Sequence, residues 1–271
     1  MGKYIGLFCL VGGFVVGQSG AGTILSEDFS TDPSERGWIY MAVNPWALQP
    51  AMPPLVTWDA AAENLAVSWD PSKPTSLYQI PLGRALTESH TITFRFDLRF
   101  STIVAADFFQ IGIGLRRASY LEFDRTGGPF PPGNRCRDLF ELAYLPKADP
   151  EWGGPWLQPT ICTSDGQFRA NFTSPSRALP AGKNLGFTLR YDPTRRSVLM
   201  DLTIDGVPAI TASPESALLP GDEFFVDTLG IFIYGDVLGA DPANDLLAGV
   251  VDNISVEAQT PSFVDTFELY R

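Results

Sequence analysis

The sequence predicts an all-β chain folded as a two-sheet antiparallel β-sandwich. Apolar residues recur at every second position through its informative stretches, and clusters of Gly, Pro, Asn and Asp cut those stretches into short segments. Alternation of that period marks strands with one buried face. Nowhere does an apolar stripe at helical spacing persist for three turns, so no long helix has a face to bury. Strands this numerous, with long irregular connections, fit two packed sheets better than a small barrel.

The first residues stand apart from this pattern. Lys3 precedes the apolar run Ile5 to Val16, and small residues follow through Gly22. That arrangement predicts a signal peptide over residues 1–22, cleaved near Ala21 or Gly22, and therefore export to the medium, a periplasm or the cell surface. The run is too short for an ordinary membrane span, and no later segment is long and apolar enough for one.

The sandwich is expected over residues 23–258. The Pro-rich stretch Asn44 to Pro54 reads as a surface loop, and Leu65 to Trp69 and Leu77 to Leu82 as strands. Thr91 to Phe100 carries the clearest alternation: Ile92, Phe94, Phe96, Leu98 and Phe100 share one face, and Thr93, Arg95, Asp97 and Arg99 the other. Phe109 to Leu115, Leu139 to Leu145 and Leu185 to Tyr191 follow. Val198 to Ile204, the turn pair Asp205-Gly206 and Val207 to Thr211 predict a hairpin. Pro214 to Leu219 has room for a short helical turn, and Leu229 to Tyr234 and Val250 to Glu257 are the last strands. Residues 259–271 form a tail, with an edge strand open to Phe263 to Leu269.

Charge and residue counts exclude several functions. The net charge of −12 becomes one unit more negative when Lys3 leaves with the signal peptide, and such a chain repels nucleic acid. A single histidine, His90, excludes a multi-histidine metal site and leaves a nucleophilic triad only one candidate base. Gly112 and Gly114 lie inside a strand pattern, not in a phosphate loop. Of the three cysteines, Cys9 lies in the signal peptide, so Cys136 and Cys162 are the expected disulfide, with two free thiols as the alternative. A bridge of that span contributes about 3 kcal/mol in the chain-entropy account.

Leu25-Ser-Glu-Asp-Phe29 with Gly37-Trp38, Phe187-Thr-Leu-Arg-Tyr-Asp192 before the Asp205-Gly206 turn, Gly230-Ile-Phe-Ile-Tyr234 and Val251-Asp-Asn-Ile-Ser-Val256 together resemble the strands of bacterial concanavalin A-like lectin/glucanase (laminin-G-like) jelly rolls. The resemblance spans nearly the whole exported chain, and its short motifs speak to fold more than to function. It implies a structural calcium ion shared by the first and last strands, with Asp28 and Asp252 as ligands and Glu27 beside them. The alternation sets Asp252 on the apolar face with Val250, Ile254 and Val256, where an unpaired carboxylate is costly. The alternative is that Asp252 caps a turn or accepts backbone N–H bonds at the strand entry, which needs no ion.

For glycoside cleavage the candidate acids are Glu122 and Asp124, in Leu121-Glu-Phe-Asp124, a segment similar to the Glu-x-Asp-x-x-Glu signature of laminarinase-like hydrolases. The third acid is missing, because Thr126, Gly127 and Gly128 follow. Arg116, Arg117 and Tyr120 offer a weaker set for a lyase. Binding has more support. Gln110, Gly112 and Gly114 share a strand face on which the glycines leave room, and Arg116 follows them. Trp152 and Trp156 lie in a Gly- and Pro-rich insert suited to stacking on sugar rings. Trp38, Trp58 and Trp69 read as packing residues. The leading expectation is an exported, non-catalytic, glycan-binding or cell-surface sandwich with a polysaccharide partner. A glycoside hydrolase or polysaccharide lyase, and a purely structural envelope protein, are the alternatives.

Overall fold

The computed structural model describes residues 22–42, 54–106, 110–119, 137–147, 153–170, 177–211, 215–235, 241 and 243–260. Its strands are β1 (Gly22–Glu27), β2 (Ile39–Ala42), β3 (Val56–Asp59), β4 (Asn64–Trp69), β5 (Ser76–Thr87), β6 (Thr91–Ala105), β7 (Ile111–Arg116), β8 (Leu139–Leu145), β9 (Trp156–Cys162), β10 (Phe168–Ala170), β11 (Leu185–Asp192), β12 (Ser197–Ile204), β13 (Val207–Ile210), β14 (Glu215–Ala217), β15 (Phe225–Ile233) and β16 (Asp245–Gln259). One sheet has nine strands, ordered β13-β12-β11-β6-β16-β4-β3, with β1 also on β16 and β14 also on β12. The other has seven, ordered β10-β9-β8-β7-β15-β5-β2. Among the described residues no helix is long and apolar enough to cross a membrane.

The core lies between the two sheets. From the nine-stranded sheet it takes the five apolar residues of β6 that the alternation selects, together with Leu185, Phe187, Leu189 and Tyr191 of β11. Ile111, Ile113 and Leu115 of β7, with Phe140, Leu142 and Tyr144 of β8, meet them from the seven-stranded sheet. Aromatic pairs fix the register within this layer: Phe96 stacks on Phe187 with ring centres 5.1 Å apart, and Trp69 meets Phe100 edge-on at 5.9 Å. Trp38 and Trp69 are core residues, as their reading as packing residues requires. In the β12–β13 hairpin Asp205 and Gly206 both have positive φ, 50° and 78°, which matches the twist of the strands they join.

Three local expectations need correction. Of the short helical turn expected over Pro214 to Leu219, the described residues Glu215 to Ala217 instead form β14, paired with β12, and Pro214 lies outside the described residues. The strand β9 went unpredicted because Pro159 lies inside it. Ladder pairing with β10 reaches only Thr160, Ile161 and Cys162, so Pro159 falls beyond that ladder, where a missing N–H breaks nothing. The third concerns β16, whose pairing with β6 is interrupted by a bulge between Asp252 and Ser255 in which Asn253 has φ 49°. One extra residue flips the phase of a strand. Before the bulge Leu247 and Val251 point inward, after it Ile254 and Val256 do, and Val250 and Asp252 face outward. Asp252 is therefore not on the apolar face.

Candidate functional site on the outer face of the seven-stranded sheet

Strands β7, β8 and β9 are buried along their whole length, on both faces. Their inward residues belong to the core, so the alternate residues form a second, outward layer that is also shielded from water. Register places Gln79 of β5, Gly230 of β15, Gly114 of β7, Glu141 of β8 and Thr160 of β9 in one row across the sheet. The next row on one side runs Leu77, Phe232, Gly112, Ala143 and Gln158, and on the other Thr228, Arg116, Leu139 and Cys162. A small apolar cluster of Leu77, Leu139, Cys162, Phe232 and Tyr234 flanks the polar groups.

Glu141 is at the centre of this layer and is 0% exposed. A buried carboxylate is tolerated only with hydrogen-bond donors. The Tyr234 hydroxyl donates to its Oε2 at 2.7 Å, and Gln110 Nε2 to its Oε1 at 3.4 Å. Gly112 and Gly114 make this placement possible. A Cβ on Gly112 would collide with the Glu141 carboxylate, and one on Gly114 with the backbone of Phe140 and Glu141. The space above these glycines thus holds Glu141, where the sequence reading left it to a ligand.

Arg116 is 3% exposed, and its Nη1 donates to Gln79 Oε1 at 2.9 Å. Burial lowers its guanidinium to about 10, and the charges of Tyr234 and Asp227 oppose that shift, so it stays cationic at neutral pH. Gln79 turns its Nε2 toward Met41 Sδ, 3.0 Å away. Gln158 and Thr160 on β9 complete a band of amide, hydroxyl, guanidinium and carboxylate groups across five neighbouring strands.

Of the residues expected to bind glycan, Gln110, Arg116 and Trp156 come together on this side of the sheet, while Trp152 lies outside the described residues. Trp156 departs from expectation: it begins β9, pairs with Leu145 and is 6% exposed, so it is a buried strand residue and not a loop platform. Glu122, Asp124 and Cys136 lie outside the described residues. Cys162 is buried and disulfide-bonded. Glu141, Gln79, Gln158, Thr160 and Tyr234 were missed by the sequence reading. The available signal was a single acid in an otherwise apolar strand, Leu139-Phe-Glu-Leu-Ala-Tyr-Leu145.

The Asp28 and Asp252 carboxylates belong to the other sheet. Asp28 is exposed and accepts from the Ser30 hydroxyl at 2.8 Å and the Ser30 N–H at 3.1 Å, bonds that lower its carboxyl. Asp252 accepts from the Asn253 N–H at 2.7 Å, at the bulge inside β16. Burial raises its carboxyl, and the neighbouring charges of Asp97, Asp28 and Glu63 push the same way. Among the described residues no three acidic, histidine or cysteine side chains stand close enough together to hold a metal ion. Glu27, not Asp28, is the buried acid of the opening strand. It is bound by Trp38 Nε1 at 3.1 Å, the Phe29 N–H at 3.1 Å and Arg36 at 3.2 Å, which ties β1 to the sandwich.

No protein-family model and no curated protein matches the sequence. Solved structures do match the fold. Peanut lectin in complex with a nonapeptide superposes with a TM-score of 0.54 at 13% identity, over 88% of this chain and 98% of the lectin. Winged bean acidic lectin in complex with methyl-α-D-galactose gives 0.52 at 12% identity, over 87% and 98%. The Lotus tetragonolobus seed lectin gives 0.52 at 10% identity, over 88% and 99%. With two antiparallel sheets of nine and seven strands arranged as in legume lectins, the chain has the concanavalin A-like lectin/glucanase fold.

Proposed function

We propose that this is an exported, non-catalytic carbohydrate-binding sandwich whose ligand is held on the outer side of the seven-stranded sheet. The observation that carries this reading is the band of polar side chains there. A sheet face covered only for stability is filled with apolar groups, because each buried polar group must find a partner merely to break even. Here Gln79, Arg116, Glu141, Gln158 and Thr160 stand on four of five adjacent strands, with Trp156 and Tyr234 beside them. None of these side chains is more than 6% exposed, so in this reading they form the buried floor that fixes the shape of the sheet face over which the sugar lies. The Cys136–Cys162 bridge belongs to the same proposal, as a tie between the segment before β8 and the end of β9.

A screen of immobilised polysaccharides tests it. Retention of one glycan class, weakened about tenfold or more by Gln79→Ala or Arg116→Ala with the melting temperature held within a few degrees, is the expected result. Silence across the screen, or retention indifferent to both substitutions, refutes the reading. One observation favours a second reading, glycoside cleavage: Glu141 is a buried carboxylate that accepts a hydrogen bond from the Tyr234 hydroxyl, and a positioned carboxyl is the group that such chemistry uses as its acid. Hydrolysis needs a second carboxylate across the ligand. Release of reducing ends from the retained glycan, abolished by Glu141→Gln, decides for that reading.

A further inference from the structure

A groove lies on the opposite side of the molecule, on the outer face of the nine-stranded sheet. It has a volume of about 470 Å3 and is lined by Asn64, Asp97, Arg99, Asn184, Thr203 and Asp252, with Gly186 and Gly206 among them. Its central feature is a cross-strand pair of like charges. Asp97 of β6 and Asp252 of β16 are direct neighbours in the ladder, an arrangement that destabilises a sheet unless something offsets it. Asn253, placed outward by the bulge, donates through Nδ2 to Asp97 Oδ2 at 2.9 Å and through its backbone N–H to Asp252 Oδ1 at 2.7 Å. These bonds hold the two carboxylates side by side without neutralising either. Arg99 is the one cation among the lining residues.

A second, independent feature points the same way. Asn64 is 8% exposed, its Nδ2 donates to the Ala62 carbonyl at 3.2 Å, and its Oδ1 has no hydrogen-bond partner among the described residues. That bond fixes the orientation of the amide, so the unpaired oxygen adds to the negative potential of the groove. The lining also includes the short hydrogen-bonding groups Asn184 and Thr203, with Leu98 and Val250 beside them, and no aromatic ring stands among the described lining residues. From the paired carboxylates, the orphaned Asn64 oxygen and this hydroxyl-reading rim, we infer that the groove binds an amine-bearing sugar, with the ammonium of a hexosamine unit against Asp97 and Asp252. The inference stands apart from the glycan site of the seven-stranded sheet, because no residue is shared.

Calorimetric titration with a β-1,4-linked glucosamine tetramer, in EDTA at low salt, tests it, with the N-acetylated tetramer and spermidine as controls. The glucosamine tetramer binds, the acetylated one binds at least tenfold more weakly, and spermidine alone does not match it. Asp252→Asn, which keeps an acceptor for the Asn253 N–H, and Asn184→Lys, which sets a competing ammonium at the exposed rim, each weaken binding at least tenfold. Leu219→Ala, at an exposed position outside both sites, leaves it unchanged. No binding of the glucosamine tetramer, equal binding of both tetramers, equal binding of spermidine, or indifference to both groove substitutions overturns the proposal.

Discussion

The outer faces of the two sheets are built from strands of the same period and treat polar groups in opposite ways. On the nine-stranded sheet the outward residues of β6, β11, β12 and β16 form open ion pairs. Arg95 meets Glu257 at 2.6 Å and Arg190 meets Asp201 at 2.7 Å, every one of these side chains at least a quarter exposed. On the seven-stranded sheet Gln79, Arg116, Glu141, Gln158 and Thr160 are each almost wholly removed from water. Exposed pairs are solvated whether or not they meet, so evolution is free to vary them at little energetic consequence. Buried groups must be matched one by one, and a face that keeps five of them is committed to a particular arrangement. The proposed function rests on this difference more than on any single residue.

Substitutions sharpen that contrast. The largest effect belongs to Gly114→Val, whose side chain has to displace the backbone of β8: we expect a loss of about 3 kcal/mol or more in urea unfolding, or no folded protein. Glu141→Leu leaves the Tyr234 hydroxyl without its acceptor inside the sheet layer and lowers stability by about 1–3 kcal/mol. A stable, unperturbed Glu141→Leu protein would mean that the buried band is not matched as described.

At the edge of the same sheet Asp222 takes two bonds from Arg169, at 2.7 and 3.1 Å, and one from the Leu219 N–H at 2.8 Å. The Arg169 bond, partly opposed by burial, holds the Asp222 carboxyl below its usual range. A depressed acid stabilises the fold above its unfolded value, about 3.9, and loses that contribution as pH falls through the folded value. Asp222→Asn is therefore expected to cost about 1–2 kcal/mol at pH 7 and progressively less below about pH 4. A difference from the native protein that persists undiminished at pH 2 would assign the effect to packing. The smallest change is Arg95→Ala on the open face, about 0.5 kcal/mol or less in the same unfolding assay.

The contrast also explains what was legible in the sequence. In β6, Thr91 to Phe100 alternates between Phe or Leu and Arg, Thr or Asp, and both faces can be read because one meets water. In β7, β8 and β9 both faces are buried, so the alternation fades, and Leu139 to Leu145 reads as an apolar run whose single acid has no evident partner. The partners of Glu141 come from Tyr234, 93 residues away, and from Gln110, 31 residues away, and no local pattern encodes such pairings. Pro159 hid β9 because an edge position depends on where its neighbour stops. Asp252 was assigned to the wrong face because a bulge is a one-residue event in backbone geometry, which period-two reasoning cannot detect. The fold was thus readable from the half-exposed strands, and the candidate site was not, because its defining property is burial on the second face.

The most direct test is hydrogen exchange on the protein with and without the oligosaccharide that the polysaccharide screen selects. The account predicts that the ligand adds protection to amides of β7, β8 and β9 and leaves β6, β11 and β16 unchanged. Protection confined to the nine-stranded sheet, or a screen that selects no glycan, would contradict it.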